Sequence, residues 1–309
     1  TTMSLLSISC KGSTCIATGK NGIILRSADR GESWKSIPSG TEVDLYTVSW
    51  VTNSTLLVGG DSSAIYRSSD AGASWQFDQN IFIMPDKRTS AEIFDIQFVN
   101  DSVGYMCGRL GSIGTFADYM DFGKIYFTKD TGKTWQRLVG TVYDSMLYKY
   151  DNQYSNAKAG YWRRIAVINP DSVIVVGFNE YNSTGIRIRG SSVVIAGGPK
   201  SPTFEVRLNA KKTDSLGYCT ASLNYFTNVY STSPLHWKVS TNKGELFETT
   251  DAGTSWKKTQ VSFGGTFYDI KFKDNFGIMG ADSGRIYSTQ DGGINWKLSV
   301  IDRGISINL

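Results

Sequence analysis

The sequence predicts an all-β fold, a single β-propeller of four-stranded antiparallel blades, and three observations predict it. An eight-residue pattern, Ser/Thr-x-Asp-x-Gly-x-x-Trp, occurs five times in the 309 residues. The first two copies begin 41 residues apart and the last two 40 residues apart, which is the period of a blade with four short strands. The chain contains 32 Gly and 13% aromatic residues and shows no apolar period of 3.6, so strands are favoured over helices.

Each copy of the pattern predicts a β-hairpin that joins the third and fourth strands of a blade. A short apolar run precedes the turn, the Asp carboxylate and Ser/Thr hydroxyl can accept backbone N–H groups, the Gly suits a positive φ, and the Trp provides a large apolar surface. The pattern residues are Ser27, Asp29, Gly31, Trp34, Ser68, Asp70, Gly72, Trp75, Thr128, Asp130, Gly132, Trp135, Thr249, Asp251, Gly253, Trp256, Thr289, Asp291, Gly293 and Trp296.

These repeats resemble the Asp-box, or bacterial neuraminidase repeat, β-propellers. The resemblance covers most of the chain and implies that the boxes are folding elements at the sheet periphery, away from any active site. Within that family the chain is similar to the photosystem II stability/assembly-factor propellers, which also lack sialidase motifs. That type usually has seven blades and an Arg-rich patch, and neither is evident in this sequence.

The strand pattern predicts six blades, with seven as the alternative if two are compressed. The fourth blade lacks a box, and its strands are the least regular. The expected blades are residues 4–38, 44–78, 92–138, 161–223, 227–260 and 266–299, with 300–309 as an extra strand or tail.

Long insertions are expected on the face opposite the boxes, because connections between second and third strands and between blades emerge there. Loops on a rigid scaffold commonly carry binding residues, and these loops combine aromatic with basic residues. The alternative is that the loops bury their own aromatic residues. The candidate binding residues are Phe82, Met84, Lys87, Arg88, Arg109, Phe116, Tyr119, Phe122, Tyr143, Tyr148, Lys149 and Tyr150.

Composition excludes several functions. The net charge of +4 is scattered, which argues against nucleic-acid binding, and no apolar run has the length of a membrane span. The single His, His236, is expected on a strand, so a multi-His metal site is excluded, and no phosphate-binding or cofactor motif is present. A sialidase would need an early Arg-Ile-Pro motif, which is missing.

The four cysteines indicate little about the compartment by themselves. Cys10 and Cys15 flank a four-residue loop between adjacent strands and could form a disulfide, whereas Cys107 and Cys219 lie in strand-like runs and are expected to be buried small apolar residues. The numbering opens without an initiator Met, which indicates a removed leader or a fragment. The family resemblance implies an extracytoplasmic location: secreted, periplasmic, lumenal or cell-surface.

The sequence therefore favours a non-catalytic scaffold that binds a protein partner, or joins a larger assembly, through the insertion-rich face. One alternative is an extracellular glycan-binding or sialidase-like glycan-cleaving protein. A second alternative is a subunit of a surface filament.

Overall fold

The computed structural model describes residues 4–62, 64–78, 91–110, 124–138, 141–143, 159–183, 186–209, 212–213, 219–220, 225–262, 265–281 and 285–300. The described residues up to Arg137 form one compact unit, and those from Leu138 form a second.

The first unit contains three antiparallel sheets, and in each of them the strands lie side by side in chain order. Blade one comprises β1 (Leu5–Lys11), β2 (Thr14–Gly19), β3 (Ile24–Ser27) and β4 (Lys35–Ile37). Blade two comprises β5 (Leu45–Trp50), β6 (Leu56–Gly60), β7 (Ile65–Ser68) and β8 (Gln76–Phe77). Blade three comprises β9 (Ala91–Phe98), β10 (Gly104–Leu110), β11 (Lys124–Thr128) and β12 (Gln136–Arg137).

The second unit contains three further large sheets and one small one. Blade four comprises β13 (Thr141–Tyr143), β14 (Ala159–Asn169), β15 (Ser172–Ser183), β16 (Ile186–Gly198) and β17 (Ser201–Asn209), and β18 (Lys212–Thr213) pairs with β19 (Cys219–Thr220). Blade five comprises β20 (Phe226–Ser231), β21 (Trp237–Thr241), β22 (Glu245–Thr249) and β23 (Lys257–Gln260). Blade six comprises β24 (Phe267–Lys273), β25 (Phe276–Ala281), β26 (Arg285–Thr289) and β27 (Lys297–Val300).

These sheets confirm the predicted fold class, an all-β, six-bladed β-propeller with four-stranded antiparallel sheets. The only helical element in the described ranges is a 3₁₀ turn at Lys20–Gly22. No helix in those ranges is long and apolar enough to span a membrane.

Blade four differs from the expected four-stranded pattern, because β13 adds a fifth strand that runs parallel to β17. Near the end of the expected blade, the described residues Cys219–Thr220 form the short β19, which belongs to a separate two-stranded sheet. In place of a box, the β16–β17 connection is a tight turn closed by Gly198 and Ser201. The outermost strand is therefore nine residues long, and a long strand edge is a template for pairing with another segment.

In blades one to three, a glycine at the end of the second strand lets the backbone at the start of the first strand approach closely. A Cβ on Gly60 would lie 2.3 Å from the carbonyl oxygen of Asp44, and one on Gly108 would lie 1.9 Å from that of Glu92. Only glycine allows this close approach of the innermost strand. Consequently Asp44 and Glu92 are held at equivalent positions at the starts of β5 and β9.

Apolar residues from neighbouring blades form the core between them. Ile16 and Ile24 of blade one pack with Leu45, Val58 and Trp75 of blade two. Burying each such side chain contributes about 1.5–3 kcal/mol before the entropy cost of ordering it. Within each unit, neighbouring sheets are therefore held together by apolar side chains packed between them.

Arginines on the third strands add polar links along two of these seams. The Arg26 guanidinium of blade one donates to the Ala71 carbonyl oxygen in the next hairpin at 3.0 Å. Arg67 of blade two donates to the carbonyl oxygens of Thr131 and Gly132 at 3.2 and 2.6 Å. The hairpins of blades two and three are thus each tied to the preceding blade as well as to their own.

A disulfide joins Cys10 and Cys15, which lie opposite each other in the β1–β2 ladder with a Cα–Cα distance of 4.1 Å. Cys107 is buried, as expected, whereas the Cys219 side chain lies outside the described part of the chain.

Replacing both Cys10 and Cys15 by Ser is expected to lower the free energy of unfolding by about 2 kcal/mol, because so short a loop removes little entropy from the unfolded chain. Urea unfolding of the variant would measure this loss. The unmodified protein in excess reductant should lose the same amount, and an unchanged midpoint in both samples would contradict the prediction.

Candidate functional site

The five box hairpins share one hydrogen-bond pattern around the Ser/Thr hydroxyl. In blade two the Ser68 hydroxyl donates to Asp70 Oδ1 at 2.7 Å and accepts the N–H of Gly72 at 2.8 Å. The other four boxes repeat both bonds, with hydroxyl–carboxylate distances of 2.6–2.8 Å. The hydroxyl therefore fixes the carboxylate and the turn glycine together.

The residue before the Trp completes the hairpin, and sequence reasoning missed it. Asp70 Oδ1 accepts the Ser74 N–H at 2.9 Å, and Oδ2 accepts the Ser74 hydroxyl at 2.6 Å. The signal was visible in the sequence, since every copy has a small hydrogen-bonding residue there. These residues are Ser33, Ser74, Thr134, Ser255 and Asn295.

The residue between Asp and Gly was also missed. Ala71 has a φ of 55°, and its N–H donates to the Ser54 carbonyl oxygen in the turn between the first and second strands. The equivalent bond occurs in the other four boxes, from Arg30, Thr131, Ala252 and Gly292. The two turns at the same end of a sheet, which we call the box end, are therefore bonded to each other.

Four of the five pattern tryptophans form the same indole hydrogen bond to their own hairpin. The indole N–H of Trp296 donates to the Gly293 carbonyl oxygen at 3.0 Å, and Trp34, Trp135 and Trp256 make the same bond to their own glycines. Trp75 is buried, and its N–H has no hydrogen-bond partner among the described residues. In all five boxes, both carboxylate oxygens accept hydrogen bonds within the hairpin, from the Ser/Thr hydroxyl and from the residue before the Trp.

These bonds lower the pKa of the box carboxyls. Hydrogen bonds from the Ser74 hydroxyl and N–H lower the pKa of Asp70 to about 2, and those from Ser255 lower the pKa of Asp251 to about 2. The pKa of Asp29 also falls well below its usual range, through its bonds to Ser27 and Ser33.

Folding stability is therefore expected to fall in acid. Because the folded pKa lies below the unfolded value of about 3.9, the contribution of each box is complete above that value and is lost as the pH falls through the folded pKa. Urea midpoints measured between neutral pH and about pH 2 should decline below about pH 4. Asp70→Asn should flatten part of this decline, and an equally steep decline in that variant would count against the assignment.

The predicted binding residues lie almost entirely outside the described residues. The two exceptions are Arg109, in β10, and Tyr143, in β13, for which only the backbone position is described. The structure therefore does not test whether these side chains come together. The residues outside the described ranges are Phe82, Met84, Lys87, Arg88, Phe116, Tyr119, Phe122, Tyr148, Lys149 and Tyr150.

An open groove of about 510 Å³ lies at the opposite end of blade one, which we call the far end. One wall is the turn from Asn21 to Ile24, and the other is the segment 36–42, which leads to blade two. The walls are joined by the Gly22 N–H, which donates to the Val43 carbonyl oxygen at 2.8 Å, and by the Asn21 N–H, which donates to Asp44 Oδ1 at 3.0 Å. These bonds hold the groove in a fixed shape.

Carboxylates and aromatic rings meet at the far ends of blades two and three. Tyr46 packs on Phe94 with ring centroids 5.4 Å apart. Burial, reinforced by the nearby charges of Asp61, Glu92 and Asp44, raises the pKa of Tyr46 to about 12. Sequence reasoning missed this cluster, although an acidic, an apolar and an aromatic residue open the first strand of both blades.

His236 lies just before β21 and takes part in a charged cluster at the box end. Its Nε2 lies 2.6 Å from Glu248 Oε1, which also accepts a hydrogen bond from the buried Lys238 ammonium. Burial opposes ionisation of Glu248, but the bonds from Lys238 and His236 prevail and lower its pKa. Within the described ranges, no group of three or more His, Cys, Asp or Glu residues could hold a metal ion.

Comparison with protein families and curated proteins finds no match. Solved structures do match. The structure described as YCF48 bound to D1 peptide is 18% identical, with a TM-score of 0.63, over 97% of this chain and 83% of that chain. YCF48 from Cyanidioschyzon merolae is 17% identical, with a TM-score of 0.48, over 99% of this chain and 97% of that chain. At these identities the likeness concerns the fold, and it identifies the chain as a six-bladed β-propeller similar in structure to YCF48.

Proposed function

We propose that the protein is a non-catalytic scaffold that binds a protein partner at the far ends of its blades. The main support is the difference between the carboxylates at the two ends of the sheets. At the box end, the carboxylate oxygens are engaged in their own hairpins. At the far end of the first unit, the Asp44 and Asp61 carboxylates each accept a backbone N–H but, like Glu42, form no ion pair with any described residue, and a groove lined in part by Glu42 is open there.

Two further observations support this proposal. The similar structure of YCF48 is described as bound to a peptide, so a propeller of this kind binds polypeptide. The long stretch of sequence between β10 and β11, residues 111–123, also follows the second strand of its blade, and connections after second strands emerge at the far end of a sheet. The Cys10–Cys15 disulfide fits the proposed extracytoplasmic location, because disulfides persist in oxidising compartments.

Affinity purification from the source cells, followed by mass spectrometry, would test the proposal. We expect a defined protein partner that is lost when residues 111–121 are replaced by a short Gly-Ser linker. Lys133→Ala, which removes an exposed charge at the box end, should retain the partner. Loss with Lys133→Ala but not with the linker variant would contradict the choice of surface. Turnover of a fluorogenic sialoside by the purified protein would contradict the non-catalytic assignment and favour the sialidase-like alternative.

A further inference from the structure

In each blade with a box, one residue pair of the first two strands lies in line with the box Ser/Thr on the third strand. In blade one this pair is Cys10 and Cys15, and Cys15 lies opposite Ser27. In the other four blades the equivalent pair contains one Trp or Phe. These pairs are Trp50 with Leu56, Phe98 with Gly104, Ser231 with Trp237, and Phe272 with Gly277. The disulfide of blade one therefore occupies a position that carries an aromatic ring elsewhere.

In the other blades this ring packs against the box Trp of its own blade. The distances between ring centroids are 6.0 Å for Phe98 and Trp135, 6.3 Å for Trp237 and Trp256, and 5.8 Å for Phe272 and Trp296. In blade two, Trp50 packs on the apolar cluster that contains Trp75. Of the five pattern tryptophans, all of which the structure describes, Trp34 of blade one alone is exposed, at 39%. Blade one thus has a covalent bond where the other blades have a ring on the box Trp.

Two contacts link the disulfide to the box hairpin of blade one. Cys15 pairs with Ser27, and the Ser27 hydroxyl accepts the Gly31 N–H at 2.8 Å. The Arg30 N–H donates at 2.9 Å to the carbonyl oxygen of Ser13, in the turn that the disulfide closes. The turn and the box hairpin therefore hold each other in place, and a change at the disulfide acts on this hairpin first.

The two cysteines differ in their accessibility to a reductant. Cys10 is exposed, whereas Cys15 is 5% exposed. Thiol–disulfide exchange requires a thiolate to reach one sulfur atom of the bond, so the Cys10 sulfur is the one open to attack. The ladder pairs on either side keep the two cysteines opposite each other when the bond is broken. The bond is therefore placed to form again on oxidation.

From these observations we propose that the Cys10–Cys15 pair is a reversible redox site that determines whether the box hairpin of blade one is ordered. The reductant is a dithiol. Its thiolate attacks Cys10 Sγ, the bond between the cysteines breaks, and Cys15 leaves as a thiolate that takes up a proton. The second thiol of the reductant then displaces Cys10 from the mixed disulfide, so the dithiol is oxidised and both cysteines are reduced. The box hairpins that are held by aromatic rings stay ordered.

Hydrogen exchange of the native protein, with and without the dithiol dithiothreitol, would test the proposal. Alkylation followed by mass measurement would show that both cysteines are reduced. In the reduced protein we expect the Arg30, Gly31 and Ser33 amides to lose protection roughly tenfold or more, because the bond no longer constrains the opening of the turn. The Thr131 amide makes in blade three the bond that Arg30 makes in blade one, so it is the internal control and should exchange at an unchanged rate.

The matched variant is Cys10→Phe combined with Cys15→Gly, which gives blade one the pair that Phe272 and Gly277 form in blade six. The glycine is needed, because a Cβ at Gly277 would overlap the Phe272 ring. We expect the box amides of this variant to keep the protection of the oxidised protein, and dithiothreitol to have no effect on them. Cys10→Ser combined with Cys15→Ser supplies neither a bond nor a ring, and should behave as the reduced protein with or without dithiothreitol.

Four results would overturn the proposal. A bond that dithiothreitol does not reduce in the folded protein is not a redox site. Unchanged exchange of the box amides after reduction would show that the bond does not order the hairpin. Equal loss of protection at Arg30 and Thr131 would show that the effect is not confined to blade one. A Cys10→Phe/Cys15→Gly variant as unprotected as the double Ser variant would show that a ring cannot replace the bond. None of these results bears on the proposed partner, which is assigned to the far end of the sheets.

Discussion

Gly22→Ala is expected to lower the free energy of unfolding by about 2–5 kcal/mol, through backbone strain and steric overlap. The new Cβ would lie 1.9 Å from the Thr41 carbonyl oxygen and 2.9 Å from Ser39 Oγ. The first of these atoms belongs to the backbone and cannot rotate away. A φ of 69° adds a backbone strain of about 1–2 kcal/mol for a non-glycine residue, and overpacking adds about 1–3 kcal/mol.

Gly40→Ala is the matched control, because it separates backbone strain from steric overlap. Gly40 has a φ of 75°, and a Cβ added there would meet no atom within 4 Å. Its cost is therefore expected to be about 1–2 kcal/mol, from strain alone. Urea unfolding of both variants would measure the difference, and equal losses would show that the groove walls are not tightly packed at Gly22.

Glu248→Ala is expected to lower the free energy of unfolding by about 2–3 kcal/mol. Lys238 is 2% exposed, and its ammonium also lies 5.3 Å from the Phe272 ring centroid in the next blade. Removing the carboxylate leaves this buried charge without its ion pair, which is costly. We place the loss below the usual range for buried pairs because the Glu248 side chain is 30% exposed and water can partly replace it.

The equivalent positions in blade two suggest a variant that should restore the stability lost in Glu248→Ala. Lys238 and Glu248 are paired across β21 and β22, as Leu57 and Arg67 are across β6 and β7. Lys238→Leu combined with Glu248→Arg should therefore recover most of the lost stability, with the new guanidinium donating to carbonyl oxygens of the next hairpin as Arg67 does. A double variant no more stable than Glu248→Ala would show that the two seams are not equivalent.

Much of the fold was predictable because the boxes are local structures. Ser27, Asp29 and Gly31 form hydrogen bonds with one another over only two to four positions. A short sequence pattern is therefore sufficient to specify the hairpin. The six-blade count followed from the period between boxes and is confirmed by the sheets. The irregular blade four was predicted least well, since the position of β13 depends on pairing with a strand that is distant in sequence.

The candidate site was less predictable for the same reason. Aromatic and basic residues in long loops were chosen by composition, which does not indicate where a side chain lies. The groove of blade one and the Tyr46–Phe94 pair involve short connections and strand starts that carry no distinctive motif. Their relation to Asp44 and Asp61 depends on hydrogen bonds between segments that are separate in sequence.

The sequence by itself determined the repeated hairpin and the all-β fold and favoured six blades over seven, because these features depend on contacts between residues that are near neighbours along the chain. Only the tertiary structure decided that the second-strand glycines bring the backbone at Asp44 and Glu92 close to the neighbouring strand, and that a groove lined in part by Glu42 opens at the far end of blade one. These features depend on distances between different connections and blades. Such distances are set by the packing of whole sheets, which no local pattern records.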